Sequence, residues 1–514
     1  MPLRQAQGER DVADNTPVII GVGQASERVG EPGYAEMSHM DLAGAALKVA
    51  LADARAKRSV ARALDTLVAV RQFEQSATRY MAPFGCANNV PRAIARRVGA
   101  NPQRAIHEVV GGDRPQRLVG ELAAEIAAGR SKLAAIAGAE ALSTVRALMA
   151  RGETRDWSET RCGSQEDRGP SYGDALDKTA LVHGVAAPVG GYPIAENVRR
   201  ERLGLSLADY RLEIGKLFAP FTQVAARNSH SAAPTVWSAE ELATLSERNR
   251  LIAEPYGRLV VSRDQVNQGA AVVLASAGEA RRLGVPCERW VHIHGVADCA
   301  EPTLLSRENM EQSPAAVAAI STALEIAGTS FENLVATDLY SCFAIPVFNL
   351  LDAFGLDRDD SRGWTLTGGL PFFGGAGNNY SSHAIAEAVQ RCRAQPGGKV
   401  LVGANGGIMS KYAAGVYSTE PADWSATRWQ SMGKIKPHFT VLDAHDGEAV
   451  SESFTIQPGK GGETATLVAR TEDARVLANS TDPAICAELR ARKVSGRPVR
   501  IEADDSGVNR FWFV

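Results

Sequence analysis

The sequence predicts an α/β scaffold with a small β-rich domain at its C-terminal end. Three observations point there. Short apolar runs closed by glycine alternate with helical stretches from Pro17 to Glu140. The same alternation begins again at Trp290, and residues 435–514 break into short strand-like segments separated by turn signals. Alternating strands and helices imply a mainly parallel sheet with helices on both faces.

The elements follow in order. Residues 1–15 are polar and read as a disordered lead-in. Pro17-Val-Ile-Ile-Gly-Val-Gly23 reads as a buried strand, and Met40–Arg58 has helical spacing with much alanine. Ala63–Val70 is a second apolar run, and Arg92–Val98 a short helix. His107-Glu-Val-Val110 reads as a strand broken by Gly111-Gly112-Asp113. Pro115 suits the first turn of a helix whose apolar face runs through Leu118, Leu122 and Ile126. Leu133–Ala137 returns as a strand.

Residues 145–260 are rich in charge, proline and glycine and read as an insertion of helices and loops. The segment around Val266–Leu274 reads as helix then strand. The second unit offers strands at Val291–His294, Leu334–Leu339 and Val400–Val402, and helices at Pro314–Ile326 and Ile345–Phe354. Its element order matches the first unit and suggests a duplication. Beyond a boundary near 420–435, Phe439–Leu442, Ser453–Ile456, Ala465–Ala469, Val499–Glu502 and Phe511–Val514 read as strands of a small barrel or sandwich.

At roughly 150 residues per domain, 514 residues give three to four domain-sized units. The charge balance, 56 Lys and Arg against 59 Asp and Glu, offers no general attraction to nucleic acid or anionic membranes. No apolar run approaches the ~20 residues needed to cross a bilayer. The polar N-terminus lacks a secretory core, so a cytoplasmic protein is expected. Seven cysteines without a CxxC pair and nine scattered histidines without HExxH spacing predict no metal site and no disulfide framework. Nor does Gly21-Val-Gly23 complete a dinucleotide fingerprint, so no nucleotide redox cofactor is expected.

Chemistry-bearing residues gather in few places. Three glycine-rich turns stand at strand ends: Gly111–Pro115, Gly368–Tyr380 and Gly403–Gly407. Glycines there let a ligand approach the backbone and expose N–H donors; tight turns alone would also use them. Asp338-Leu-Tyr-Ser-Cys-Phe343 supplies an acid, a phenol, a hydroxyl and a thiol. Cys342 is a candidate nucleophile or an inert core cysteine, and Tyr340 a candidate acid or a core tyrosine. His383 opens a helix; His107 sits on an apolar strand and reads as a core histidine. The Pro458-Gly-Lys-Gly-Gly462 loop is a turn that could touch a phosphate.

These pieces together resemble the thiolase superfamily, nearest the sterol-carrier-protein-type thiolases. The resemblance spans about 14–420. Its carrying segments are Pro17–Gly23, Ala137-Gly-Ala-Glu140, Tyr192-Pro-Ile-Ala-Glu196, Asn249–Tyr256, Asp338–Phe343, Thr367-Gly-Gly-Leu370 and Ala404-Asn-Gly-Gly407. It implies two βαβαβαββ halves, 14–289 with a loop domain at about 145–260 and then 290–425. The remaining 430–514 would be an additional β-barrel, OB-like.

Matched to the family's motifs, the nucleophilic cysteine position falls at Gly111. The second cysteine falls at Ala404, the histidine of the Gly-His-Pro turn at Gly375, and the Asn or His of the fourth motif at Tyr340. The resemblance implies a protein of the acetyl-CoA acetyltransferase type that takes acyl-CoA as substrate and lacks the usual catalytic side chains. Two other expectations stand beside it. One is a retro-aldol lyase on 3-hydroxyacyl-CoA that uses Tyr340, with Tyr380 nearby and the β domain as a partner fused in cis. The other is a non-catalytic CoA-thioester or lipid-binding protein.

The expected pocket lies between the halves. Its catalytic candidates are Tyr340, Cys342, His383, Asn405 and Asp113, with oxyanion donors from the Gly112 and Gly407 N–H groups and the Asn405 side chain. CoA would be met by Gly111, Gly112, Gly375, Asn378, Asn379, Tyr380, Gly406 and Gly407. Thiolases pair through their cores, so the resemblance implies a homodimer that the added domain could block.

Overall fold

The computed structural model describes residues 12–76, 82–170 and 178–514, so residues 1–11 of the expected lead-in lie outside it. The first half runs through β1 (Pro17–Ser26), α1 (His39–Asp53), β2 (Thr66–Ala69), β3 (Arg104–His107), α2 (Arg114–Ala127) and β4 (Leu133–Glu140). An edge strand β5 (Glu166–Asp167) and helices α3 (Pro188–Arg202) and α4 (Leu207–Arg227) belong to the insertion, after which β6 (Gln268–Ser276) closes the half. The second half comprises β7 (Val291–Ala300), α5 (Pro314–Ile326), β8 (Leu334–Asp338), α6 (Ile345–Phe354), α7 (Tyr380–Ala394), β9 (Lys399–Gly406) and β10 (Lys411–Ser418).

The strands line up as β8-β9-β10-β7-β1-β6-β4-β2-β3-β5, with β11 (Trp429–Lys434) beside β7. The sheet is mixed where a mainly parallel one was expected. β2 runs parallel to β3 and β4, and β8 to β9. In contrast, β1, β4, β7 and β9 each pair antiparallel with a neighbour, β6 or β10. The cause is local: β9 turns directly into β10 through residues 407–410, and so short a connection permits only an antiparallel partner. The halves touch at β1 and β7 through just Val18–His292 and Ile19–Val291.

Alternation along β1, broken by a shift of register between Ile19 and Gly21, sorts its side chains onto two faces. Val18 and Ile20 pack under α1, whereas Ile19 and Val22 face a second core. That second core is built around α2 and α7, the two helices shared by both halves. α5 covers the outer face of β7 and β10. The layers are therefore helix, sheet, paired helices, sheet, helix. The glycines of β1 serve this packing: a Cβ on Gly21 would lie 2.1 Å from the Ala50 carbonyl oxygen of α1, and one on Gly23 2.3 Å from that of Ala46.

Two further expectations shift. Residues 266–274 form no helix; Val266 leads straight into β6, whose residues are all buried between β1 and β4. β3 ends at His107, where the predicted strand begins, because β2 also ends there, at Ala69.

The C-terminal region holds β12 (Thr440–Leu442), β13 (Gly447–Gly459), β14 (Gly462–Arg470), β15 (Ala474–Ser480), α8 (Pro483–Ala491), β16 (Pro498–Ala503) and β17 (Asn509–Phe513). The sequence pattern missed β15 and α8. Pairs β15–β14–β13–β16–β17 run around in order, and one bridge, Asn479–Arg510, returns β17 to β15. The Pro458–Gly462 loop is the hairpin turn between β13 and β14. The domain sits on the insertion: Ser453 Oγ donates to the Ile194 carbonyl (2.7 Å), and Asn197 Nδ2 donates to the Phe454 carbonyl (3.0 Å). Among the described residues no helix is long and apolar enough to cross a membrane.

Candidate functional site

The ends of α2, β8, β9 and α7 converge where the two halves meet. Pro115 in the first turn starts α2, and Asp113 is its N-cap. The Asp113 carboxylate makes no capping bond; Oδ2 stands 3.3 Å from Arg114 Nε, and among the described residues Oδ1 is buried without a hydrogen-bond partner. It lies against two glycines. A Cβ on Gly111 would stand 2.4 Å from this oxygen and one on Gly406 2.2 Å. Gly111 also has φ +152°, which disfavours a side chain.

Gly112 is filled from the other side. A Cβ there would lie 2.5 Å from the Tyr340 hydroxyl and 2.5 Å from the Asn405 carbonyl oxygen. The Gly112 carbonyl accepts from Ser381 Oγ on α7. Thus neither Gly111 nor Gly112 leaves room for a nucleophilic side chain. Tyr340, Cys342, Asn405 and Asp113 are at most 8% exposed, so the junction is closed.

Tyr340 meets the Tyr380 ring edge to face at 5.3 Å. The Tyr380 hydroxyl shares a 2.5 Å hydrogen bond with Thr367 Oγ1, which donates to Asp338 Oδ2 at 3.2 Å. Asp338 Oδ2 also accepts from the Leu366 N–H (2.7 Å) and Thr365 Oγ1 (3.1 Å). Burial pushes the Asp338 carboxyl up to about 6 and moves the Tyr380 phenol well above its ordinary range. Tyr380 is therefore held as a neutral phenol.

The other expected residues fall differently. Cys342 is buried and its thiol pushed up to about 12 by desolvation, so it carries no ready thiolate. Asn405 Nδ2 already donates to Tyr192 Oη (2.8 Å) and reaches Cys342 Sγ (3.8 Å); it is not an open oxyanion donor. His383 turns to β1, its Nδ1 2.6 Å from Gln24 Oε1, and burial drives its pKa well below the usual histidine value. It stays neutral, on a different side of α7 from Ser381.

Gly375 and its neighbours act through structure. The Gly375 N–H donates to the Arg263 carbonyl (2.8 Å). Asn378 Oδ1 accepts from the Gly111 N–H (3.0 Å), and Asn379 Nδ2 donates to the Gly138 carbonyl (2.7 Å). Gly377 packs onto Glu140, a buried carboxyl pushed up to about 8. Gly407, at φ +63°, offers its carbonyl to Tyr192 Oη (2.9 Å). The expected roll of glycines and amides thus builds the junction's walls. Among the described residues no cluster of three or more His, Cys, Asp and Glu could hold a metal ion.

One feature escaped the sequence. A cavity of about 440 Å³ opens beside the junction, lined by Arg248, Arg250, Arg258 and Arg263 with Trp237 and Phe372. Arg248 lies over the Trp237 ring at 4.3 Å, and Arg263 Nε is buried without a hydrogen-bond partner among the described residues. Among the described residues none of these guanidinium groups is in an ion pair, and the acid in the wall, Asp264, is paired with Arg146 at 2.7 Å. Ser262 forms the boundary: it lines the cavity, and its N–H donates to the Cys342 carbonyl (3.0 Å). The available signal was arginine density between 248 and 263, which did not separate these from the many other arginines of the insertion.

Residues 430–506 match the family model described as the thiolase-like protein type 1 additional C-terminal domain. No curated protein matches the chain in sequence. Among solved structures, a monomeric SCP2-thiolase-like protein type 1 from Mycobacterium smegmatis is 41% identical, with TM-score 0.82, over 98% of this chain and 100% of that one. The dimeric peroxisomal thiolase of Saccharomyces cerevisiae shares the fold at 14% identity and TM-score 0.57, over 80% of this chain and 99% of that one. An Ltp2–ChsH2(DUF35) aldolase does so at 19% and 0.56, over 79% of this chain and 98% of that one. With such identity across nearly its whole length, the chain belongs to the SCP2-thiolase-like proteins of type 1.

Proposed function

We propose that the chain binds CoA thioesters, with the phosphates of CoA in the four-arginine cavity and the acyl end directed at Tyr340 and Asp113. The arginine cavity carries this reading. Four guanidinium groups gathered with one carboxylate, Asp264, itself paired with Arg146, repel one another and favour an anion, and planar forks suit phosphate oxygens. Trp237 and Phe372 add aromatic surface for a base. The shared Ser262 wall puts the cavity next to the junction.

The acyl-cysteine route of an acetyl-CoA acetyltransferase has no support from these residues, since both glycines are filled and the Cys342 thiol stays protonated. A specific observation favours the lyase reading: the Tyr340 hydroxyl stands against Gly112, and the Asp113 oxygen that lacks a hydrogen-bond partner among the described residues stands against the neighbouring Gly111. In retro-aldol cleavage the β-hydroxyl proton passes to such a base and the Cα–Cβ bond breaks. An aldehyde or ketone leaves, and the enolate takes a proton to give the shortened CoA ester. The strand order and the helix between β15 and β16 support an OB-like reading of the C-terminal domain.

Mass spectrometry of CoA species tests the chemistry, after incubation with acetoacetyl-CoA plus CoA and with several 3-hydroxyacyl-CoA esters. A shortened ester from the hydroxyacyl pool, lost in Tyr340→Phe, is expected; acetyl-CoA from acetoacetyl-CoA would overturn the lyase reading. Retention of esters without turnover would leave a binding protein. Calorimetry with CoA tests the site itself: Arg250→Gln with Arg258→Gln should weaken binding about tenfold or more. Unchanged affinity would refute the placement of the phosphates.

A further inference from the structure

We infer that the C-terminal domain fixes the Gly406–Met409 turn of the candidate site through two buried arginines in series, Arg475 and Arg307. The turn matters because Gly406 packs on Asp113 and Gly407 is held by Tyr192. Its residue Met409 has φ +52°, a conformation that costs a side-chain-bearing residue energy and persists only where the surroundings hold it.

Arg307 provides the holding contacts. It is 4% exposed, and its Nη2 donates to the Ile408 and Met409 carbonyls, each at 2.8 Å. Its Nε donates to the Pro302 carbonyl (3.1 Å). Arg307 is itself gripped from β15. Arg475, 2% exposed, donates through Nη1 to the Leu305 carbonyl (3.1 Å) and to that of Arg307, and through Nη2 to that of Glu308 (3.0 Å). Glu452 on β13 accepts from Arg475 Nε (2.5 Å), and the Phe439 ring lies 4.3 Å below the guanidinium. Arg307 Nη1 also stands 3.7 Å from the buried Glu301 carboxylate, and the hydrogen bonds named above end on backbone carbonyls or on Glu452, so the C-terminal domain reads the backbone of 305–308 and, through it, that of 408–409. The inference rests on the proposed site only in calling this turn part of it.

Hydrogen exchange of the full chain without ligand tests it, so a failure to bind CoA leaves the test intact. Arg475→Lys keeps the charge but cannot span three carbonyls. Exchange at the Met409 and Ser410 amides should then rise about tenfold, while β14 and α5 amides change less than about twofold. Arg307→Lys should do the same. Unchanged exchange at Met409 and Ser410 in both variants would overturn the inference. So would an equal rise at the turn, β14 and α5, which is the mark of general loosening. Should the Lys variants not fold, Glu452→Gln weakens the anchor of Arg475 and should still raise exchange at those two amides by about two- to fivefold; no local rise would overturn it as well.

Discussion

Gly112→Ala puts the closed junction to a direct test. Gly112 does not have a positive φ, so alanine is compatible with its backbone. With open space around it, the change would stabilise the fold by about 0.4–1 kcal/mol through the unfolded chain. The space is not open. The new methyl would stand 2.5 Å from both the Tyr340 hydroxyl and the Asn405 carbonyl oxygen, almost 1 Å inside an ordinary contact of about 3.4 Å. The Tyr340 hydroxyl is the end of a side chain, whereas the Asn405 carbonyl belongs to the backbone of β9, which is paired there with Tyr412 of β10. Overpacking of this kind costs about 1–3 kcal/mol, and two simultaneous contacts, one rigid, place Gly112→Ala near the upper end. Urea unfolding at pH 7 should show the midpoint falling by the corresponding amount with an unchanged slope. Adding Tyr340→Phe removes one contact and should recover part of the loss, roughly 1 kcal/mol, a coupling that a double-mutant cycle reads. A neutral or stabilising Gly112→Ala would mean that position 112 has room for a side chain, and the argument against a nucleophile there would fail.

Three further outcomes follow from the same geometry. Iodoacetamide at pH 8 should label exposed Cys162 first and spare Cys342 until the protein unfolds, as peptide mass spectrometry would show; equal rates would contradict a thiol pushed up to about 12. Asp338 has its pKa raised from 3.8 to about 6, so the folded protein prefers it protonated. Its destabilising effect is full above pH 6 and gone below pH 4, and wild type should gain on Asp338→Asn by up to about 3 kcal/mol as the pH falls from 8 to 4. Paired urea titrations check this, and a constant difference would refute it. Gly21→Ala should lower the unfolding midpoint more than Gly112→Ala, because its Cβ meets the Ala50 carbonyl at 2.1 Å inside a hydrogen-bonded helix.

Parts of the fold were legible because local chemistry decides them. Pro314 and Pro346 sit in the first turns of α5 and α6, and apolar spacing carries each helix to its observed end at Ile326 and Phe354. β10 and β15 escaped because Ala, Gly and Ser give weak strand signals, and only their position between other strands settles them. The junction residues were legible as motifs, for glycine turns and Asp338–Phe343 do meet there. Their chemistry was not. That Cys342 is desolvated, that His383 turns to Gln24 and that Asn405 is spent on Tyr192 are facts of long-range packing. The arginine cavity draws on residues from 189 to 372, brought together only by the fold.

The ring of strands in the C-terminal domain closes through a single bridge, between Asn479 and Arg510. His183 of the insertion fastens that seam: its Nε2 accepts from the Asn509 N–H (3.1 Å), and its carbonyl accepts from Asn479 Nδ2 (3.3 Å). The hem of one domain is thus stitched by a thread from another. Residues 430–514, cut loose, would gape along this edge, so a genetic split that supplied the two pieces as separate polypeptides would have to invent a new fastening before either could be inherited alone.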